Sequence, residues 1–202
     1  MIGPSYAQAN ELYTRLLDFK ALLDVLHADV FRAATEAGST DDQYHRRAYV
    51  RSVFAYVEGT LSGTDRFLLD SIELGAANAL GWSLTPDEVQ KLSDNLQLPR
   101  GDGKRPRFLM IEPHVKLIVT IGERLFGGVQ MGLEGPEWSN FQDGVRTRNR
   151  TMHPKRSADL SLSSEEIQRV DKARDWYRFG MQRWLQGALG GYTALLAKRR
   201  QK

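Results

Sequence analysis

Apolar side chains that recur every third or fourth residue constrain this chain more than any other feature. Leu12, Leu16, Phe19, Leu23, Leu26 and Val30 step by four and three. An α-helix turns once in about 3.6 residues, so this spacing lines one stripe of a single long helix. Gly38-Ser39-Thr40 stops it, and Thr40 with Gln43 reads as a capping box opening a second helix. That helix carries Tyr49, Val53, Val57 and Leu61 and runs to about Leu80, with a bend near Gly63. Thr85-Pro86-Asp87-Glu88 opens a short helix ending by Asn95: cap, proline in the first turn, and glutamate three residues after the cap.

A basic Gly/Pro loop follows from Leu98 to Arg107. The next helix is expected over His114–Leu125, although the β-branched run Val115–Ile121 is also compatible with a strand. Gly127–Pro136 is glycine-rich loop. Ser139 and Gln142 would cap a helix that ends at His153, because the residue before a proline is pushed out of helical geometry. Ser163 and Glu166 box the start of the last helix, whose stripe runs from Ile167 through Val170, Tyr177, Trp184 and Tyr192 to Leu196. The expected fold is all-α: four principal helices in a bundle, with additional short helices and long inserted loops. No repeat or linker divides it, so one domain over 1–202 is expected.

The charge is informative by its distribution. Net charge is only +3, yet the cations gather at Arg46/Arg47/Arg51, Arg100/Lys104/Arg105/Arg107, Arg146–Arg156 and Lys198–Lys202. Such clusters either attract polyanions or are plain solvated faces. The absence of cysteine excludes disulfides, zinc–thiolate sites and thiol catalysis, and suits a reducing, cytoplasmic setting. The first residues show no charged segment followed by an apolar run, and no apolar stretch approaches bilayer length, so neither a leader nor a membrane partner is expected.

The third basic cluster carries the chemistry. Arg146-Thr-Arg148-Asn149-Arg150-Thr-Met-His153-Pro154 sets three arginines and one histidine in two helical turns. Histidine exchanges a proton near neutral pH, and arginine presents a permanently charged fork suited to phosphate oxygens. A proton carrier beside an anion clamp can cleave a phosphodiester without a metal. The fit to one helix face is imperfect: Arg148 and His153 stand about 140° apart on an ideal helix. Asn149, Arg150 and Arg146 lie nearer the histidine's face.

Arg148-Asn149-x3-His153, placed at the end of a later helix in an all-α chain, resembles the ribonuclease motif of the HEPN superfamily: Arg, four to six residues, then His. That resemblance implies a homodimer in which two motifs face each other across one cleft, and an endoribonuclease with a toxin–antitoxin or host-defence role and an antitoxin or defence partner. In it, His153 acts as general acid or base, Arg148 grips the scissile phosphate, and Asn149 orients the histidine or touches RNA. Arg146, Arg150 and Lys155 are the expected substrate-binding cations, and either Arg146 or Arg148 is the working arginine. Glu58, among the apolar neighbours Phe54 and Leu61, resembles the acidic residue that completes some such sites. The plainer alternatives are a solvent-edge glutamate and a structural ion pair with Arg51 or a motif arginine. No cofactor is implied. The tyrosine that some relatives carry two residues after the histidine is Lys155 here, so control through that tyrosine is not carried over.

His27, His45 and His114 have no metal-ligand spacing and read as structural or solvated. Trp82, Trp138, Trp176 and Trp184 read as core or interface anchors. The rival to an enzyme is a non-catalytic helical module that uses the same basic patch to bind RNA or a partner protein.

Overall fold

The computed structural model describes residues 4–40, 42–98 and 109–200, all of whose regular structure is helical. In chain order the elements are α1 (Tyr6–Ser39), α2 (Gln43–Glu73), α3 (Ala76–Leu80), α4 (Pro86–Asn95), α5 (Ile111–Phe126), α6 (Gly135–Met152), a 3-10 turn (Ser157–Leu160) and α7 (Ser164–Arg200). The expected basic loop at Arg100–Arg107 and the side chains of the tail from Lys198 fall outside the described residues. No helix among the described residues is long and apolar enough to cross a membrane.

Local signals explain the starts of two helices. Thr85 accepts from the Glu88 amide at 3.2 Å while the Glu88 carboxylate accepts from the Thr85 amide at 2.7 Å, so α4 opens on a complete capping box. Ser163 and Glu166 do the same for α7, at 3.2 and 2.9 Å. In α5 the buried positions are His114, Val115, Ile118, Val119, Ile121 and Gly122. That is a helical stripe and not an alternation, so the β-branched run is helix.

α5 begins at Ile111, three residues before the expected His114, and three further helix ends differ from the sequence reading. The second helix stops at Glu73, because Gly75 adopts a left-handed conformation (φ 69°) and separates the short α3. Thr40 and Gln43 form no capping box: the Thr40 hydroxyl donates back to the Glu36 carbonyl, and Asp42 accepts from the Tyr44 amide at 3.0 Å. Gln43 is engaged elsewhere, as described below. Finally, α6 starts at Gly135, with Pro136 in its first turn, so Ser139 and Gln142 lie inside the helix. Proline's fixed φ is already helical, and Trp138 joins Phe141 and Val145 on the buried face one turn earlier than the cap reading allows.

The chain falls into two compact units, and α1, α2 and α7 contribute residues to both. One unit comprises Met1–Ala21, Leu61–Gln130 and Met181–Lys202. Its core is an aromatic cluster in which Phe67, Trp82, Phe126, Trp184 and Tyr192 meet edge to face, with centroids 5.0–6.3 Å apart. The Tyr192 hydroxyl donates to Ser71 Oγ at 2.9 Å, which satisfies the phenol inside the core. Burial raises the Tyr192 phenol above its ordinary pKa.

Trp184 is wholly buried and lies against the backbone of Gly122, where an added Cβ would stand 2.3 Å from the indole. Gly122→Ala therefore sets a gain in helix propensity of about 1 kcal/mol against overpacking that costs about 1–3 kcal/mol. The overpacking should win, because the indole is enclosed and cannot move aside. Gly190 of α7 has nothing among the described residues within 4 Å of the same built atom. Gly190→Ala should raise the urea midpoint, whereas Gly122→Ala should lower it.

The other unit comprises Leu22–Thr60 and Met131–Gly180. Phe54, Trp138, Phe141, Trp176 and Tyr177 pack its centre, with Trp138 and Tyr177 each stacked on Phe141. The Tyr177 hydroxyl donates to the Val57 carbonyl at 3.2 Å and so fastens α7 to α2. This unit carries the whole basic motif.

Candidate functional site

The last turns of α6 hold the motif, and their position follows from the packing one turn before. Gly144 on the buried face of α6 meets the Phe54 ring of α2, with an added Cβ only 3.2 Å from Cζ. This close approach sets the register: Arg148, one turn beyond Gly144, comes opposite Glu58, one turn beyond Phe54. Arg148 Nη2 donates to Glu58 Oε1 at 2.6 Å, and Nη1 donates to Asn149 Oδ1 at 3.0 Å. The Arg148 side chain is 19% exposed and that of Glu58 44%. An ion pair this open to water contributes about 0–1 kcal/mol to stability. Its stronger effect is orientation, because it holds one edge of the guanidinium fork in place. Of the two partners the sequence offered Glu58, the structure selects a motif arginine.

His153 is the residue at which α6 ends. Its amide still donates to the Asn149 carbonyl at 3.1 Å, but its own backbone has left helical geometry at φ −127° and ψ 58°. The side chain is exposed, and among the described residues the imidazole has no hydrogen-bond or ion-pair partner. Arg148 thus faces α2 while His153 faces water. Glu58, Arg148 and Asn149 are joined within one chain, and His153 stands beside them without touching them.

The other expected cations differ from one another. Arg146 is exposed and pairs with Asp143 one turn back, a carboxylate that also lies 4.0 Å from Arg169. Lys155 is exposed, and its main-chain amide donates to Asp159 Oδ2 at 2.8 Å. That amide is the largest influence holding the Asp159 carboxyl below its usual range, with the amide and charge of Arg156 adding to it. Arg150 turns away from the site. Its Nη1 donates to the carbonyls of Ser161 and Ala158 at 3.1 and 3.4 Å, and its Nη2 to Glu166 Oε1 at 2.6 Å.

The first basic cluster lies on the same segment. Arg46 donates to the Leu162 carbonyl at 2.6 Å and to Ser164 Oγ at 3.3 Å, and Arg47 to the Leu160 carbonyl at 2.9 Å. The Gln43 side chain reads both sides of Leu162: its amide donates to the carbonyl at 3.1 Å, and its oxygen accepts from the Leu162 amide at 2.7 Å. Sequence spacing carries no signal for these contacts, since their partners lie 113 to 119 residues away. Arg51, an exposed residue of α2, lies two turns before Glu58 on the same face of the helix.

The remaining histidines have local surroundings. His45 Nδ1 lies 3.0 Å from Thr40 Oγ1 and 3.0 Å from Asp42 Oδ2, and His27 leans on the Tyr56 ring. His114 is buried, with Nε2 2.9 Å from Asp65 Oδ1. No group of three histidine, aspartate or glutamate side chains among the described residues is placed to hold a metal ion. No protein-family model, curated protein or solved structure matches this chain.

Proposed function

We propose that the chain is a metal-independent endoribonuclease of the HEPN type, working as a pair of identical subunits. The observation that carries this reading is the Glu58–Arg148–Asn149 array beside the exposed His153. Glu58 holds one side of the guanidinium, which leaves its remaining N–H groups to grip a phosphate oxygen. His153 takes the proton of a ribose 2′-hydroxyl, and the freed oxygen attacks the adjacent phosphorus. The P–O5′ bond then breaks, the 5′-oxygen receives a proton, and the products are a 2′,3′-cyclic phosphate end and a 5′-hydroxyl end. Arg148 offsets the charge that builds on the non-bridging oxygens. The reaction needs a base and an acid, whereas one chain presents one such imidazole. Two copies related by a two-fold axis supply both. A toxin or host-defence role follows from the resemblance and is proposed with it.

The test is cleavage of a single-stranded RNA in EDTA, beside the same oligonucleotide with 2′-deoxyribose at the cleaved position. Cleavage of the RNA alone, leaving a cyclic phosphate end, is expected; cutting of both substrates, or of neither, overturns the reading. The rate per chain should also fall on dilution through the dissociation of the pair.

One observation favours a second reading. Arg148 already has two partners within its own chain, and no side chain among the described residues orients His153. Such a surface would suit a module that binds RNA or a partner protein without cutting. RNA binding that persists with no cleavage under any condition assigns the chain to that class. In a bacterial host, expression of the wild type should slow growth more than expression of His153→Ala; equal growth counts against a toxin.

A further inference from the structure

The ten residues after His153 form a strap, 154–163, that runs from the end of α6 to the start of α7. A connection of this length with only one short turn is ordinarily free to move. Here its main chain is fastened from two helices. Arg150 of α6 holds the carbonyls of Ala158 and Ser161, Arg47 of α2 holds that of Leu160, and Arg46 and Gln43 of α2 hold that of Leu162. Asp159 closes the near end by accepting from the amides of Lys155 and Arg156 at 2.8 and 3.0 Å. Leu162 is buried and anchors the far end in the core.

Arg150 is the centre of this arrangement. It lies three residues before His153, and its other guanidinium nitrogen meets Glu166, whose second oxygen caps α7 through the Ser163 amide. One side chain thus ties the last turn of α6, the strap and the first turn of α7 together. Its two terminal nitrogens are engaged by two carbonyls and a carboxylate of its own chain.

We propose that Arg150 is a positioning residue, and not an RNA contact: by pinning the strap against α6 it fixes where the His153 imidazole stands. Arg46 and Gln43 serve the same end from α2. Among the described residues the His153 side chain has no side-chain partner, so its place is set through the backbone on either side of it. Before it, the helix holds the chain through the Asn149 carbonyl; after it, the pinned strap does. This inference rests on the ribonuclease reading for its effect on rate, but its structural content is measurable without RNA.

The experiment compares the full-length wild type with Arg150→Gln, Arg150→Lys and Glu166→Gln. The imidazole resonances of the histidines are followed by NMR, with the His153 signal identified from His153→Gln. Arg150→Gln is expected to shift and broaden the His153 signal while those of His27 and His114 stay in place. Arg150→Lys should do nearly the same, because a point charge cannot serve three acceptors at fixed angles. On RNA, kcat should fall roughly 10²-fold, the loss that a misplacement of about 1 Å can cause. The KM and the salt dependence of RNA binding should stay at wild-type values.

A residue that grips phosphate would behave differently. Removing it would weaken binding and lower the salt slope by about 0.7 for a single-stranded partner. That result, with the His153 signal unmoved, overturns the proposal. If Arg150→Gln displaces all the histidine signals, Glu166→Gln, which removes one charge and leaves the carbonyl contacts, is judged by the same criterion. Should the wild type cut no RNA, the ribonuclease reading fails, and the His153 signal in these variants still decides whether Arg150 positions it.

Discussion

For the ribonuclease proposed above, His153→Ala is expected to lower the rate of RNA cleavage by about 10²–10⁴-fold, the range that a positioned acid–base group contributes. Folding should be untouched, because the imidazole is exposed and has no hydrogen-bond or ion-pair partner among the described residues. Arg148→Ala should cost about 10²–10³-fold through the lost stabilisation of charge on phosphorus, and it should also weaken RNA binding. Part of that weakening would come from Glu58, which loses its cationic partner and repels an anion bound nearby. Glu58→Gln separates the two effects. It keeps an acceptor for Arg148 and removes the charge, and the openness of the pair limits the change in stability to about 1 kcal/mol. A fall in cleavage with an unchanged thermal midpoint would therefore report the orientation of the guanidinium. Single-turnover rates at saturating RNA give the comparison. Equal rates for the wild type and His153→Ala would remove the imidazole from the mechanism.

Much of the helical order was legible because it is written locally. The boxes at Thr85–Glu88 and Ser163–Glu166 need only residues three apart, and both are formed. The box at Thr40–Gln43 has the same lettering and fails, because Gln43 gains two hydrogen bonds to Leu162, 119 residues away. A cap contributes about 1 kcal/mol, so a distant pair of bonds of similar size can displace it. The site shows the same division. Arg148, Asn149 and His153 stand out by spacing, and Glu58 by its apolar neighbours. Which cation Glu58 would meet depends on the register of α2 against α6, and that register rests on the absence of a side chain at Gly144. The tasks of Arg46, Arg47 and Arg150 were hidden for a related reason. A cluster of arginines reads alike whether it faces a polyanion or its own backbone carbonyls, and only the fold supplies the carbonyls.

The largest loss of stability is expected outside the motif, at His114→Leu. Asp65 of α2 has no exposed surface, and its partner among the described residues is His114 of α5, with Nε2 2.9 Å from Oδ1. Among the described residues the second oxygen, Oδ2, makes no hydrogen bond, and neither does the Asn95 amide nitrogen, although Asn95 also favours the charged carboxylate. Removing one partner of a buried pair costs about 3–5 kcal/mol, because the other is left buried and uncompensated. The pH dependence follows from the direction of the Asp65 shift. Burial raises its pKa above the ordinary value, and His114 opposes that rise. Between the ordinary and the raised value the folded chain holds a proton that the unfolded chain has released, so stability falls as pH increases through that window. Without His114 the window extends further upward. The deficit of His114→Leu relative to wild type should therefore be smaller at pH 5 than at pH 7, measured by urea unfolding. The double variant Asp65→Ala/His114→Leu should recover more than half of the loss, since it removes the stranded carboxylate together with its partner. A deficit below about 1 kcal/mol, the size of an ordinary exposed pair, would mean that the carboxylate finds solvent in the folded chain. A deficit that grew towards acid would reverse the assigned direction of the Asp65 shift.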